Sequence, residues 1–271
     1  MRQEITDQII KKLNSLGGDL TNQLNALVSS VNKLTIENQQ RIQEIIKLND
    51  WGRIRELEIN LIKSHLGSKS QYFQDLFVTT HFNHKCGGFF VEFGACDGIT
   101  GSNTFLLEKK YGWTGILAEP SKVWWSDLKK NRQVNIDFRC VFSESNLKLE
   151  FSETADPMLS TISKHISSDF HAGTRIAEAT EIYSVTTVSL NDLLAHYQAP
   201  FEIDYLSIDT EGSEYEILST FDFKRYKIKI ITVEHNYNEN DRAKINELLI
   251  ANNYEICHQG LTYADDWYKL K

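Results

Sequence analysis

Residues Phe89-Phe90-Val91-Glu92-Phe93-Gly94-Ala95-Cys96-Asp97-Gly98 read as a buried strand that stops at a glycine and opens into a turn. Two further apolar runs follow the same plan. Gly115-Ile116-Leu117-Ala118 ends in Glu119-Pro120, and Ile203 to Ile208 ends in Asp209-Thr210-Glu211-Gly212. Short, continuous apolar runs bounded by turn residues are the pattern of strands covered on both faces. The spacing predicts helices over Gln71–Phe82, Ser102–Tyr111, Ser189–Tyr197, Glu214–Phe221 and Asp241–Asn252, with another starting at Ser121. It predicts further strands over Ile136–Phe142, Ile228–Val233, Tyr254–Cys257 and Tyr263–Tyr268, and a hairpin arm over Leu147–Phe151. Such alternation makes an α/β domain with a mostly parallel sheet and helices on both faces. The stretch Ser152–Thr180 is rich in Ser, Thr and His, has no clear period, and is long enough to be a lid or binding loop.

The first fifty residues behave differently. Aromatics make up 11% of the chain, yet none precedes Trp51. Ile10, Gly17, Leu24, Val31, Asn38 and Ile45 share one heptad position; Leu13, Leu20, Leu27, Leu34, Arg41 and Leu48 share the other. A seam of this spacing predicts a coiled coil about 60 Å long that self-associates. β-Branched residues and an asparagine at one position, with leucine at the other, favour two strands. Leu16, Val28 and Ile42 widen the seam and leave three or four strands open. A second amphipathic helix, Ile54–Leu66, closes at Gly67-Ser68. The expected organisation is therefore a helical oligomerisation segment over 1–67 and a catalytic domain over 68–271.

Charge narrows the partners. The formal net charge of −8 argues against a nucleic-acid groove. The chain has no run of transmembrane length and no basic-then-apolar leader. Cys86, Cys96, Cys140 and Cys257 are scattered, as befits reduced thiols in a cytoplasmic protein.

An adenosine cofactor is expected at the strand ends. Gly94 lets the backbone come close to a ligand. Glu119 can accept both hydroxyls of a ribose. A dinucleotide would need a GxGxxG turn for its pyrophosphate, whereas this chain has Gly94-Ala95-Cys96-Asp97-Gly98. Acids at Glu92 and Asp97 would repel a pyrophosphate and attract the sulfonium and ammonium of S-adenosylmethionine.

The chain resembles the FkbM-type methyltransferases, a branch of the class I S-adenosylmethionine-dependent enzymes. The resemblance rests on Ser70-Gln71-Tyr72-Phe73-Gln74-Asp75, Gly88 to Gly98, Ser102-Asn103-Thr104, Leu107-Glu108, Gly112 to Gly115, Glu119-Pro120 and Ile208 to Glu214. It implies a Rossmann-like, seven-stranded, mostly parallel sheet whose final strand is antiparallel. It also implies O-methylation, often of sugar hydroxyls. Carried onto this sequence, Glu92, Gly94, Ala95 and Asp97 line the methionine part of the cofactor, Glu119 holds the ribose, and Ser143 faces the adenine. Gln74 belongs to a helix that covers the cofactor. Ser102 and Asn103 either touch the cofactor or cap the following helix.

Methyl transfer to a hydroxyl needs a base or a metal. Asp209, Glu211 and His235 are the catalytic candidates at the ends of two adjacent strands. Asp209, Glu234 and His235 could hold Mg²⁺ or Mn²⁺ through hard oxygen and imidazole ligands. The alternative is that Asp209 positions the cofactor and Glu211 caps a helix. His165 and His171 read as solvated loop residues. The expected acceptor is a saccharide, as in a bacterial surface glycan. A small natural product or lipid hydroxyl is the enzymatic alternative, and a coiled-coil scaffold with an inactive head the non-enzymatic one.

Overall fold

The computed structural model describes residues 12, 25–30, 33, 67–258 and 262–271. The chain divides into two compact units, Met1–Ser64 and His65–Lys271. The described residues of the first unit are helical and exposed. Of the heptad seam, Leu27 is the one position within them, and it is 64% exposed. The rest of the seam and the helix expected over Ile54–Leu66 lie outside the described residues.

The second unit is built on a seven-stranded sheet. Its strands are β1 (Phe89–Phe93), β2 (Thr114–Ala118), β3 (Asn135–Asp137), β8 (Glu202–Ile208), β9 (Lys227–Glu234), β10 (Tyr254–Cys257) and β11 (Asp265–Leu270). The order across the sheet is β10-β11-β9-β8-β1-β2-β3. All neighbours are parallel except β11, which runs antiparallel to both β9 and β10. The expected antiparallel last strand is thus present.

Alternation along each strand assigns the two faces. Val91, Phe93, Ile116, Leu206 and Ile208 join one apolar cluster, with Leu193 of α5 (Leu190–His196), Ile217 of α6 (Glu214–Ser219) and Leu249 of α7 (Glu239–Ala251). Phe90, Leu117, Tyr205 and Ile230 point the other way. They meet Val78 of α1 (Gln74–His81), Leu107 of α2 (Phe105–Tyr111) and Leu128 of α3 (Trp125–Asn131). Both faces are covered, which is why these strands read as unbroken apolar runs.

Two elements depart from expectation. The strand expected over Ile136–Phe142 is two strands in two sheets. Asp137 accepts the Arg139 backbone N–H at 2.8 Å and its guanidinium at 2.6 Å. That local turn ends β3 and sends β4 (Cys140–Phe142) into a four-stranded sheet of order β4-β7-β5-β6. The other strands there are β5 (Lys148–Thr154), β6 (Thr161–Ile162) and β7 (Ala179–Ser189). β7 was not expected, because its first four residues are exposed on both faces and show no alternation. The segment between β6 and β7 contains α4 (Ala172–Glu178).

Parallel register aligns the carboxyl ends. Phe93 pairs with both Ala118 and Ile208, and Ile208 pairs with Val233. Gly94, Glu119, Asp209 and Glu234 therefore follow at one edge, where the connections from β1 and from β8 lead off in opposite directions.

Beside this edge, Arg132 is fully buried and bonds Glu108 at 2.5 Å, Gly98 O at 3.1 Å, Ser102 at 3.0 Å and Thr104 at 2.9 Å. Arg132→Met leaves the buried Glu92 carboxylate without its cation and Glu108 with only Lys109. It is expected to cost about 3–5 kcal/mol in urea unfolding. A loss below about 1 kcal/mol would show that the pair is dispensable.

Candidate active site

The site begins with a close approach of two strand ends. Gly94 has φ 72°, and a Cβ added there would lie 2.0 Å from the Asp209 carbonyl oxygen. Glycine is the residue that fits between β1 and β8 at this point. The chain then turns through Cys96, also in the left-handed region at φ 47°. That turn aims the Cys96 N–H at Glu119 (2.8 Å), whose other oxygen accepts the Ser121 N–H (2.8 Å). Burial pushes the Glu119 carboxyl up to about 7, although the two N–H groups favour its charged form.

Gly94, Cys96, Glu119 and Asp209 share the wall of a cavity of about 260 Å³. Cys140 and Val141 of β4 close one side, and Asp156 to Ser160 roof it together with Gln71, Thr100 and Gly101. Five carboxylates, Glu119, Asp156, Asp209, Glu211 and Glu234, line it, and among the described residues no lysine or arginine does. The cavity is therefore a receptor for positive or neutral chemistry.

Asp209, Glu211 and Glu234 form its densest group of acids: an oxygen from each lies within 4.8 Å of the others. Burial, with the neighbouring acids Glu214 and Glu92, pushes Asp209 up to about 6. Burial and then Asp209 push Glu211 and Glu234 well above the usual carboxylate range. Two groups from elsewhere relieve the repulsion. Arg175 of α4, fully buried, donates to Glu211 and to Asp169 (2.8 Å). Asn236 Nδ2 donates to Glu211 at 2.8 Å and to Glu234 at 2.7 Å. Glu214 shapes the loop, accepting from Thr210 N–H (2.9 Å) and Gly212 N–H (3.1 Å). Glu211, Asn236 and Tyr237 all have positive φ, so the turns after β8 and after β9 are both held in strained backbone.

Residues 92–256, more than half the chain, match the family model described as "Methyltransferase FkbM domain". The chain belongs to the FkbM methyltransferase family. It is a methyltransferase with the class I, Rossmann-like α/β fold. Its coordinates also resemble solved structures at low identity. A putative RNA methyltransferase from Pyrococcus horikoshii is 10% identical, with 73% of this chain and 82% of that one covered and a TM-score of 0.36. A precorrin-6y C5,15-methyltransferase from Geobacter metallireducens GS-15 is 12% identical (72% and 84% covered, TM-score 0.38). The human methyltransferase 10 domain containing protein is 12% identical (80% and 95% covered, TM-score 0.38). The family assignment rests on the sequence match, and the topology on the strand order above. No curated protein matches the chain.

In this FkbM-family methyltransferase the structure brings Gly94, Glu119, Asp209, Glu211 and Glu234 together, and His171 joins them on the cavity wall. His171 had read as a solvated loop residue. Glu92 faces away from the cavity. It accepts from Ser102 Oγ (3.0 Å), Asn103 N–H (2.6 Å) and Thr104 Oγ1 (2.5 Å), and so orders the loop before α2. Ser102 in turn accepts the Phe105 N–H (3.1 Å), and Asn103 Nδ2 reaches Ser207 (2.9 Å). Asp97 caps its own turn through Ile99 and Thr100 N–H (2.8 and 2.7 Å). Ala95 lies in the apolar core, and Gln74 donates to Asp265 (2.6 Å). Ser143 is not on the wall, because β4 has left the main sheet and presents Cys140 and Val141 there.

Of Asp209, Glu234 and His235, expected to hold a metal ion, the structure brings the two acids together with Glu211 and not with His235. Glu234 ends β9 and borders both the cavity and a smaller recess, whereas His235 borders the recess and not the cavity. His235 accepts the Tyr237 N–H (3.1 Å) and lines that recess with Asn238 and Asp241. Arg175 and Asn236 were missed as site residues. Arg175 sits in the aperiodic stretch, where no spacing marks it.

Glu119 makes stability fall with pH. Its carboxyl titrates at about 7 in the fold against an ordinary 4.5, so the folded state holds the proton longer. Stability is full below about 4.5 and declines as pH rises toward 7, by roughly 3 kcal/mol for this group. Unfolding free energies of Glu119→Gln from urea titrations at pH 4.5 to 7.5 should show a decline smaller by that amount. Parallel pH profiles would contradict it.

Proposed function

We propose that this chain transfers a methyl group from S-adenosylmethionine to a sugar hydroxyl, as in a bacterial surface glycan. The observation that carries the reading is the cavity shared by Gly94, Glu119 and Asp209, lined by carboxylates and by no lysine or arginine among the described residues. A pyrophosphate would meet acids and no lysine or arginine among the lining residues, whereas a sulfonium and an ammonium would be attracted. Gly94 lets the ends of β1 and β8 approach, because a Cβ there would meet the Asp209 carbonyl oxygen, and so brings Asp209 to the cavity wall. Glu119, with one backbone donor on each oxygen, keeps acceptor capacity for ribose hydroxyls.

When bound, the sulfonium supplies the methyl electrophile. The chain's own acids then orient the acceptor and take its proton. Asp209 is the base: at about 6 its carboxyl is largely ionised at neutral pH, and it stands on the cavity wall beside Gly94. Gly94 and Glu119 would hold the donor, whose sulfonium would supply the methyl group, and Asp209 would take the proton that the acceptor hydroxyl loses. Glu211 is engaged by Arg175 and Asn236 and shapes the loop. His235 is turned away and takes no part.

Titration calorimetry with S-adenosylhomocysteine is expected to show micromolar binding, and Glu119→Ala to weaken it at least about tenfold. No heat at high micromolar concentration would remove the reading. Asp209→Asn is expected to slow transfer by about 10²–10⁴-fold; a fully active variant refutes its role. The heptads at Ile10 to Leu48 support self-association. Light scattering on chain lacking residues 1–50 should then report a smaller assembly, and an unchanged subunit number would dismiss that role.

A further inference from the structure

Large aromatic side chains stand in solvent beside the acids. Phe170 is 75% exposed, Tyr237 54% and Tyr263 52%. Their attachment is specific. Tyr237 directly follows Asn236, the residue that bridges Glu211 and Glu234. The Phe170 N–H donates to Asn236 O at 3.4 Å, and the Phe170 ring meets Tyr237 edge-on at 6.0 Å. On the other side Tyr263 stacks on Tyr72 at 5.3 Å and 23°. The Tyr72 N–H is held by Gln74 (2.9 Å), whose amide bonds Asp265 (2.6 Å). Asp265 and Glu234 are direct partners in the β9–β11 ladder. One aromatic pair is therefore tied to Glu234 and the other to Asp265, and the two pairs flank this row of acids. Burial, followed by Asp265, Tyr237 and Glu234, raises the Tyr72 hydroxyl to about 12, in keeping with its place near them.

Exposed apolar surface beside a polar cavity marks a binding face. The mixture selects the ligand. A lipid tail needs a continuous apolar groove, and here carboxylates interrupt the rings. A nucleotide could stack, but its phosphates would face acids. A sugar ring has an apolar C–H face for an aromatic platform and hydroxyls that donate to carboxylates. Asp209, largely ionised at neutral pH, repels a uronate or a phosphosugar. An amino sugar gains from both the acids and the ring faces.

We propose that Tyr72, Phe170, Tyr237 and Tyr263 form an acceptor collar that takes uncharged or amino-bearing saccharides and rejects acidic ones. This rests on the saccharide reading above and adds its subsite and charge selectivity.

Saturation-transfer NMR on the full chain tests it, with three probes: the methyl glycosides of a neutral hexose, an amino sugar and a hexuronic acid. Each is measured with and without S-adenosylhomocysteine. Ring C–H protons of the neutral and amino glycosides should receive saturation, and the uronide at least fivefold less. The double variant Tyr237→Ala/Tyr263→Ala should reduce the signal at least fivefold while leaving S-adenosylhomocysteine affinity within twofold. Equal or stronger transfer to the uronide, no transfer to any glycoside, or transfer unchanged in the double variant overturns the collar. Loss of S-adenosylhomocysteine affinity in the double variant would make the tyrosines structural, which also overturns it. Failure of S-adenosylhomocysteine to bind the unaltered chain sinks the cofactor reading instead, and the glycoside spectra without it still judge the collar.

Discussion

Three carboxylates meet a guanidinium where β8 and β9 end. Asp209, Glu211 and Glu234 would repel one another apart from Arg175 and the Asn236 amide, which bring donors to Glu211 and Glu234. Arg175 comes from α4, outside the main sheet, and is itself fully buried with Asp169. Removing either side of such a contact leaves a buried charge without its partner. The same contact therefore docks the segment after β6 onto the sheet and keeps the acid cluster assembled. It also explains why acids are tolerated in a buried place: part of their charge is answered by Arg175, and part is suppressed because burial and mutual repulsion keep protons on them.

The second constraint is steric. Backbone at Gly94 and Asp209 approaches so closely that a β-carbon cannot be fitted. The approach occurs between β1 and β8, where the chain departs in opposite directions and the ends of the strands leave a crevice. Cys96 then turns in the left-handed region and points its N–H at Glu119. Geometry at one glycine thus places the acid of β2 beside the acid of β8 in one cavity.

Much of the fold was legible. Strand and helix positions in the α/β unit followed from apolar runs and their punctuation, because burial on both faces leaves a continuous signal. The failures have physical causes. Asp137 and Arg139 make a short turn that ends a strand without any proline or glycine to announce it. The outer half of β7 is exposed on both faces, so no alternation reveals it. Gly94, Glu119, Asp209, Glu211 and Glu234, which the structure gathers on one cavity wall, could be read from strand ends and from the family resemblance. Glu92 sits in a strand whose alternation and neighbours turn it into the loop before α2. His235 was grouped with the acids because it follows Glu234, but β9 ends at Glu234 and the chain turns there, leaving His235 in the neighbouring recess.

The amino-acid order by itself determined the class of fold, the edge of the sheet that carries the chemistry, and the sign of charge gathered there. These depend on how each short run divides between water and core, a property of a few neighbouring residues. The tertiary structure decided which acids face one another, which cation answers them, and which rings stand around them. Arg175 and Glu211 are 36 positions apart, and Gln74 and Asp265 are 191 apart. Such meetings are set by crossovers and strand register, which no local pattern encodes.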